Sequence, residues 1–341
     1  GSISTLPLGW PHAPWHAENF KGAADNLLAA ARFLDRLSQK NQVEIVLAIE
    51  PEPGCVLNTA EEVVEFFERY LFTSPDAEIA RRHLTVCHDV CHSGVMFEPQ
   101  TGALQLYLDR GIRIGKVQVS SAVHVPWDGL VGSPKRQLAA LHQLRGFNEP
   151  RYLHQTTTST EQGRRGRLFE DLPLALQSLK NATSTSPDAG STGAQSAEGV
   201  LAARLPTTPW RVHFHVPVYV DRFGELHTTQ GDIAEAVGFL ESHRREQIGD
   251  RDWFTGHYEV ETYAWTVLPS EWQAEDWPAA SLANSNTSAP FSIARTMQAS
   301  NDRSKSRSKH EKEPKHGALP VVAGNPSGSP RRRLRRRQYA D

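Results

Sequence analysis

Residues 43–53 read Val43-Glu-Ile-Val-Leu-Ala-Ile-Glu50-Pro-Glu-Pro53. A short apolar run stopped by a carboxylate and two prolines is a buried strand that ends in a loop. Ile45, Leu47 and Ile49 alternate against Val46, Ala48 and Glu50, so both faces are apolar until the last residue, as in a strand covered on both sides. Downstream, Thr59-Ala-Glu-Glu62 is a capping box. It opens a helix whose buried stripe is Val63, Phe66, Phe67 and Tyr70. Upstream, Leu27, Leu28, Ala31, Leu34 and Leu37 recur at helical spacing within Ala23–Ser38. Further strands are predicted at Ile3–Leu6, Leu84–Asp89, Gly115–Ser121, Arg211–Val218 and Tyr258–Thr262. A helix is predicted at Asp232–Arg244, with Ile233, Ala236, Val237 and Leu240 inward. Strands alternating with helices predict βα units around a parallel sheet, expected here to close as a (β/α) barrel.

This organisation is expected to occupy residues 1–268. Residues 181–208 are rich in Ser, Thr, Ala and Gly and read as a disordered insertion. Residues 269–341 read as a disordered basic tail ending in Pro330-Arg-Arg-Arg-Leu-Arg-Arg-Arg337. Residues 271–341 carry 13 Lys/Arg against 7 Asp/Glu in a chain of net charge −2, so the remainder is acidic. An acidic core offers no nucleic-acid surface, although the Arg-rich run alone could contact RNA or an anionic membrane. No stretch has the roughly 18 apolar residues of a bilayer span, and the N-terminus carries no signal-peptide pattern. The opening Gly1-Ser-Ile-Ser-Thr5 is already strand-like and reads as a fragment lacking an upstream part. The three cysteines, Cys55, Cys87 and Cys91, make no disulfide framework and fit a cytoplasmic protein. Cys87 and Cys91 raise zinc, with Asp89 and His92 beside them. Structural zinc favours two close ligand pairs, however, and the sequence holds no second cysteine pair.

Polar residues concentrate on one face of successive strands. Thr85, Cys87 and Asp89 share a parity, as do Lys116, Gln118 and Ser120, His213 and His215, and Glu259 and Glu261. In a barrel that face is the interior, whose C-terminal mouth binds ligands. Unpaired carboxylates buried there would cost several kcal/mol each, and a shared cation reconciles them with the imidazoles. Oxygen plus nitrogen donors fit Mn²⁺, Mg²⁺, Co²⁺ or Zn²⁺. Each residue also has an ordinary alternative, since a strand-end Glu can pair with Arg and a strand His can be a satisfied core residue. His154 is a further candidate at the mouth, whereas His12, His16, His124, His142 and His227 are read as surface positions.

The motifs Leu47-Ala-Ile-Glu-Pro-Glu-Pro-Gly-Cys55 and Val86-Cys-His-Asp-Val-Cys-His92 resemble the xylose isomerase-like (sugar phosphate isomerase/epimerase) TIM barrel superfamily. Added to them are Gly1-Ser-Ile-Ser-Thr-Leu6, Lys116-Val-Gln-Val-Ser-Ser-Ala122, Val212-His-Phe-His-Val-Pro217 and Glu259-Val-Glu-Thr-Tyr263, and the set resembles the EboE family of metabolite-traffic proteins. The resemblance implies a (β/α)8 barrel whose first three strands lie upstream of Gly1. It implies metal ligands at Glu50, Asp89 and Glu261, with Glu259 a rival for the last. Gln118 stands where the superfamily has His, and His215 could supply the missing imidazole.

The implied activity is isomerisation or epimerisation of a sugar-like or hydroxy-carbonyl metabolite. Glu50 or Glu261 would move the proton, with His92, His154 and His213 as substrate contacts. Two other readings remain. One is a non-catalytic carrier barrel for a prenylated or aromatic metabolite. The other is a zinc phosphodiesterase, which would need more histidine ligands and a basic groove.

Overall fold

The computed structural model describes residues 1–184, 202, 204–261 and 268–269 of the 341. The chain divides into two units, Gly1–Pro290 and Phe291–Asp341, and every described residue lies in the first. The expected insertion falls largely outside the described residues, as does the tail from residue 270.

Four strands, β1 (Ser2–Thr5), β2 (Val46–Ile49), β3 (Leu84–Asp89) and β4 (Ile114–Val119), pair in parallel in that order. The last strand, β13 (Tyr258–Val260), adds to the far side of β4, also in parallel. Strands β2, β3 and β4 are almost wholly buried. Helix α1 (Ala17–Asn41) covers the sheet with Ala24, Leu28, Ala31 and Leu34. Thr59 caps α2 (Ala60–Phe66), and the capping box forms with Glu62 as the reciprocal partner. The helix runs on into a π-turn at Phe67–Leu71. Helices α3 (Ala77–His83), α4 (Val90–Val95) and α5 (Gln100–Asp109) complete this half. Gly115 is needed where β4 meets β3: an added Cβ would stand 2.1 Å from Thr85 Oγ1.

The (β/α)8 barrel expectation is not met. The second half is a six-stranded sheet paired antiparallel throughout. Its strands are β5 (Ser121–Val125), β6 (Thr156–Ser159), β7 (Arg165–Phe169), β8 (Trp210–Val216), β9 (Arg222–Phe223) and β10 (Leu226–Thr228), in the order β7-β6-β8-β5-β10-β9. The physical reason lies at Ser120. Only this residue separates β4 from β5, whereas a parallel neighbour needs a crossover of roughly a dozen residues. The run expected to be one strand, Gly115–Ser121, is thus the end of one sheet and the start of another. Likewise Arg211–Val218, expected beside the parallel strands, is β8 at the middle of the antiparallel sheet. His124, read as a surface residue, sits on β5 with its ring near that of His227.

Helices α6 (Trp127–Leu130), α7 (Pro134–Gly146) and α8 (Leu172–Ser184) accompany this sheet. One side of it forms a core of Val123, Val125, Trp127, Leu144, Phe147, Val212, Phe214 and Val216. Alternation then turns Arg211, His213 and His215 to the opposite side, where α4 packs against β5 and β8. Helix α9 (Gln230–Ser242) packs on α5, and the short hairpin β11 (Gln247–Ile248) to β12 (Arg251–Asp252) leads toward β13. No helix among the described residues is long and apolar enough to cross a membrane.

Candidate metal centre

Parallel strands present their last residues at one edge, and the register aligns them. Asp89 stands opposite Gln118, which stands opposite Glu259 on β13. Glu50 follows β2, its N–H bonded to Thr5 O. Glu261 follows β13, its N–H bonded to Val119 O. Glu50, Asp89 and Glu261 thereby each place a carboxylate oxygen within 4.8 Å of the others. Glu259, two residues earlier on the same face, pairs with the Lys116 ammonium and is half exposed.

Asp89 is the hinge of the site. As N-cap of α4 its Oδ1 accepts from His92 N at 3.0 Å, and from Ser120 Oγ at 2.9 Å. Its Oδ2 is buried without a hydrogen bond, as are Gln118 Oε1 and Glu261 Oε2. A buried acceptor left unsatisfied costs about 1–3 kcal/mol, so three such oxygens at one edge fit a cation. Oxygen donors of this kind are those of a divalent metal site. Burial and then the neighbouring Asp89 raise the Glu50 carboxyl to about 7. The same two causes raise Glu261. Asp89 goes the other way. Burial pushes it up, but His92, His215 and its two hydrogen bonds hold it below the usual range.

The imidazoles arrive from the antiparallel sheet and from α4. His215 forms a second tight group with Asp89 and His92, and a third with Cys91 and His213. His92 Nδ1 lies 2.8 Å from Pro51 O, and its Nε2 lies 3.1 Å from His213 Nε2. His213 Nδ1 meets Gln155 Oε1 at 2.6 Å, and its Nε2 is also 2.9 Å from His215 Nε2. Burial, reinforced by the other imidazoles, depresses His213 well below the ordinary value, and burial takes His215 to about 4. His92 is raised: burial lowers it, but Asp89 and Glu50 outweigh that.

The chain matches no protein-family model and no curated protein. The chemistry of the site therefore rests on its own atoms.

Of the residues singled out in the sequence, the structure brings Glu50, Asp89, Glu261, His92, His213 and His215 together. Gln118 stands beside them in register. His154 is set apart by its bonds, since its Nδ1 meets His213 O at 2.9 Å and its Nε2 meets Glu149 Oε1 at 3.1 Å. Its ring stacks on Phe214, which makes it a brace behind β8. The sequence reading set Ser120 on the polar strand face without a site role and missed Gln155; they orient Asp89 and His213. A Ser at a sheet-to-sheet junction carries no motif, and neither does a Gln facing a strand 58 residues away. A cleft of about 370 Å³ reaches the site at His213 and is lined by Leu6, Trp10, Arg151, Tyr152 and Leu153 among others.

Proposed function

We propose that this chain holds a divalent metal ion at Glu50, Asp89 and Glu261, with imidazole from His215, and acts on a sugar-like or hydroxy-carbonyl metabolite by isomerase- or epimerase-type proton transfer. The observation that carries the reading is the convergence of three carboxylates whose buried oxygens at Asp89 and Glu261 lack hydrogen bonds. The motif resemblance to EboE-type metabolite-traffic proteins supports the choice of substrate class. Bound there, the ion would polarise adjacent substrate oxygens and stabilise developing enediolate charge. Glu261 or Glu50 would move the proton, since burial and Asp89 raise both carboxyls above the ordinary value, in the direction that suits a general base. Asp89, locked by the α4 backbone and Ser120, positions rather than transfers.

A second reading, a carrier that binds the metabolite without turning it over, is favoured by the cleft itself. Leu6, Trp10, Tyr152 and Leu153 offer an apolar, aromatic wall, with Arg151 and Glu52 as its charged groups, which suits a hydrophobic, aromatic metabolite. The two separate by exchange of a carbon-bound hydrogen with solvent deuterium, followed by NMR. The panel is ketoses, aldoses and aromatic hydroxy-ketones, with Mn²⁺ or Mg²⁺ supplied. Exchange in the wild type, lost in Glu261→Gln while a hydroxy-carbonyl member of the panel still binds, is the expected result. Silence across the panel, with saturable binding of one member, would leave the carrier.

A further inference from the structure

We propose that the protein has a second, nitrogen-rich cation position, held by the Nε2 atoms of His92, His213 and His215 and joined to the carboxylate centre through Asp89. It stands independently of the metabolite chemistry above. An imidazole nitrogen has one in-plane site, which holds either a proton or a lone pair. His213 Nε2 has two nitrogen neighbours at hydrogen-bonding distance, His92 Nε2 at 3.1 Å and His215 Nε2 at 2.9 Å. At most one of those contacts can be a hydrogen bond.

The partners of the other ring nitrogens sharpen the conflict. Pro51 O only accepts, so the His92 proton sits on Nδ1 and its Nε2 is a lone pair in the neutral ring. Gln155 Oε1 assigns the same tautomer to His213. In the neutral rings the lone pairs of His92 and His213 then face one another, in a region where His92, His213 and His215 are at most 6 % exposed. A single cation turns that contact from repulsive to bonding and takes His215 Nε2 as a third donor.

The spacing suits one. Nitrogens about 2.0–2.1 Å from a tetrahedral zinc stand about 3.3–3.4 Å apart, wider by about 0.2–0.5 Å than the 3.1 and 2.9 Å seen, so the rings need to part only slightly to admit an ion. Carbonyl partners on the outer ring nitrogens are also what fixes metal-binding histidines in place. Asp89 groups with His92 and His215 as well as with Glu50 and Glu261, so its carboxylate is placed to bridge two ions. Cys91 groups with His213 and His215. The cleft lined by His213 leads to this position from solvent. Imidazole and sulfur donors select Zn²⁺ or Co²⁺, whereas carboxylate oxygens suit Mn²⁺ or Mg²⁺.

The test loads the chelator-stripped full chain with Mn²⁺ and then with Co²⁺ or Zn²⁺, reading stoichiometry by mass spectrometry and Mn²⁺ by EPR. One equivalent of Mn²⁺ is expected, plus one of Co²⁺ or Zn²⁺, with Co²⁺ showing visible absorption of a nitrogen-ligated ion. In His213→Gln and His215→Gln the Co²⁺ equivalent should weaken by more than about 100-fold, beyond the usual cost of losing an outer partner. The Mn²⁺ signal of His213→Gln should be unchanged. A wild-type total of one equivalent would overturn the second position and leave the carboxylate reading standing. So would two equivalents surviving in His213→Gln, or a metal-free trio whose nitrogen-15 spectrum ignores Co²⁺ and Zn²⁺. Loss of Mn²⁺ binding with the Zn²⁺ equivalent retained would do the reverse. The wild-type stoichiometry settles the matter even where a variant fails to fold.

Discussion

The parallel sheet and the antiparallel sheet both deliver polar side chains to the same buried region, by different routes. In the parallel sheet the carboxylates stand where strands stop: Glu50 after β2, Asp89 at the end of β3 and Glu261 after β13. Their positions follow from backbone register. In the antiparallel sheet the histidines stand in the middle of β8, with Val212, Phe214 and Val216 on the reverse side locked in an apolar core. Phe214 meets Phe147 edge-on at 5.1 Å. The oxygen half is thus placed by where strands end, and the nitrogen half by what is packed behind a strand.

Asp89 belongs to both halves, so its replacement is the largest test of whether they form one site. In Asp89→Asn the side chain can still cap α4, because Asn serves at an N-cap about as well as Asp. The fold should persist, while Mn²⁺ and Co²⁺ binding both fall by at least about 100-fold in calorimetric titration, as expected when a bridging ligand is lost. Loss of Mn²⁺ alone would show two separate sites that share no ligand.

The halves should also respond oppositely to pH in the metal-free protein. Glu50 is raised from 4.5 to about 7. Above the unfolded value the native state therefore holds a proton that the unfolded chain has released, and stability falls as pH rises from about 4.5 through 7. His215 is lowered from 6.5 to about 4. Its contribution is complete above 6.5 and is lost as pH falls toward 4. Each shift is worth on the order of 3 kcal/mol, so between about 4.5 and 6.5 these two contributions oppose one another. Glu50→Gln removes the Glu50 part of the falling side, which Glu98 and Glu261 share. Across that window its denaturant midpoint should gain on the wild type's as pH rises, and two parallel profiles would sink the assignment.

Much of this was legible in the sequence, and the failures have physical causes. The strand Leu84–Asp89 runs as predicted, because an apolar run ending in Asp followed by a short helix leaves little choice of boundary. The Thr59 capping box is local and was readable for the same reason. The barrel was not, because parallel and antiparallel strands share the same alternation, and only the one-residue link at Ser120 distinguishes them. His213 and His215 were visible as a pair on one face. Their meeting with His92, 121 residues away from His213, is a tertiary fact that strand periodicity does not encode.

The smallest effect expected is also the one that best separates the halves. Lys116 shares its strand face with Gln118, is only 7 % exposed and pairs with Glu259. Its positive charge acts on Glu261, whose carboxyl it lowers against the raising effects of burial and Asp89. A fixed cation near the carboxylates repels an incoming divalent ion. Removing it in Lys116→Met keeps the bulk of the stem packed and leaves Glu259 in water, where half of its side chain already lies. Stability should therefore change little, since ion pairs with an exposed partner contribute about 0–1 kcal/mol. The gain in Mn²⁺ affinity should be about 1 kcal/mol, roughly fivefold, the size of a well-solvated charge–charge term. The imidazoles of His213 and His215 belong to the other sheet and that of His92 to α4, so the Co²⁺ affinity of the nitrogen half should move less. Equal gains for both ions would mean that Lys116 acts on the whole region and that the halves are electrostatically one. An unchanged or weaker Mn²⁺ affinity would mean that Glu259 had already cancelled the lysine's field at the carboxylates.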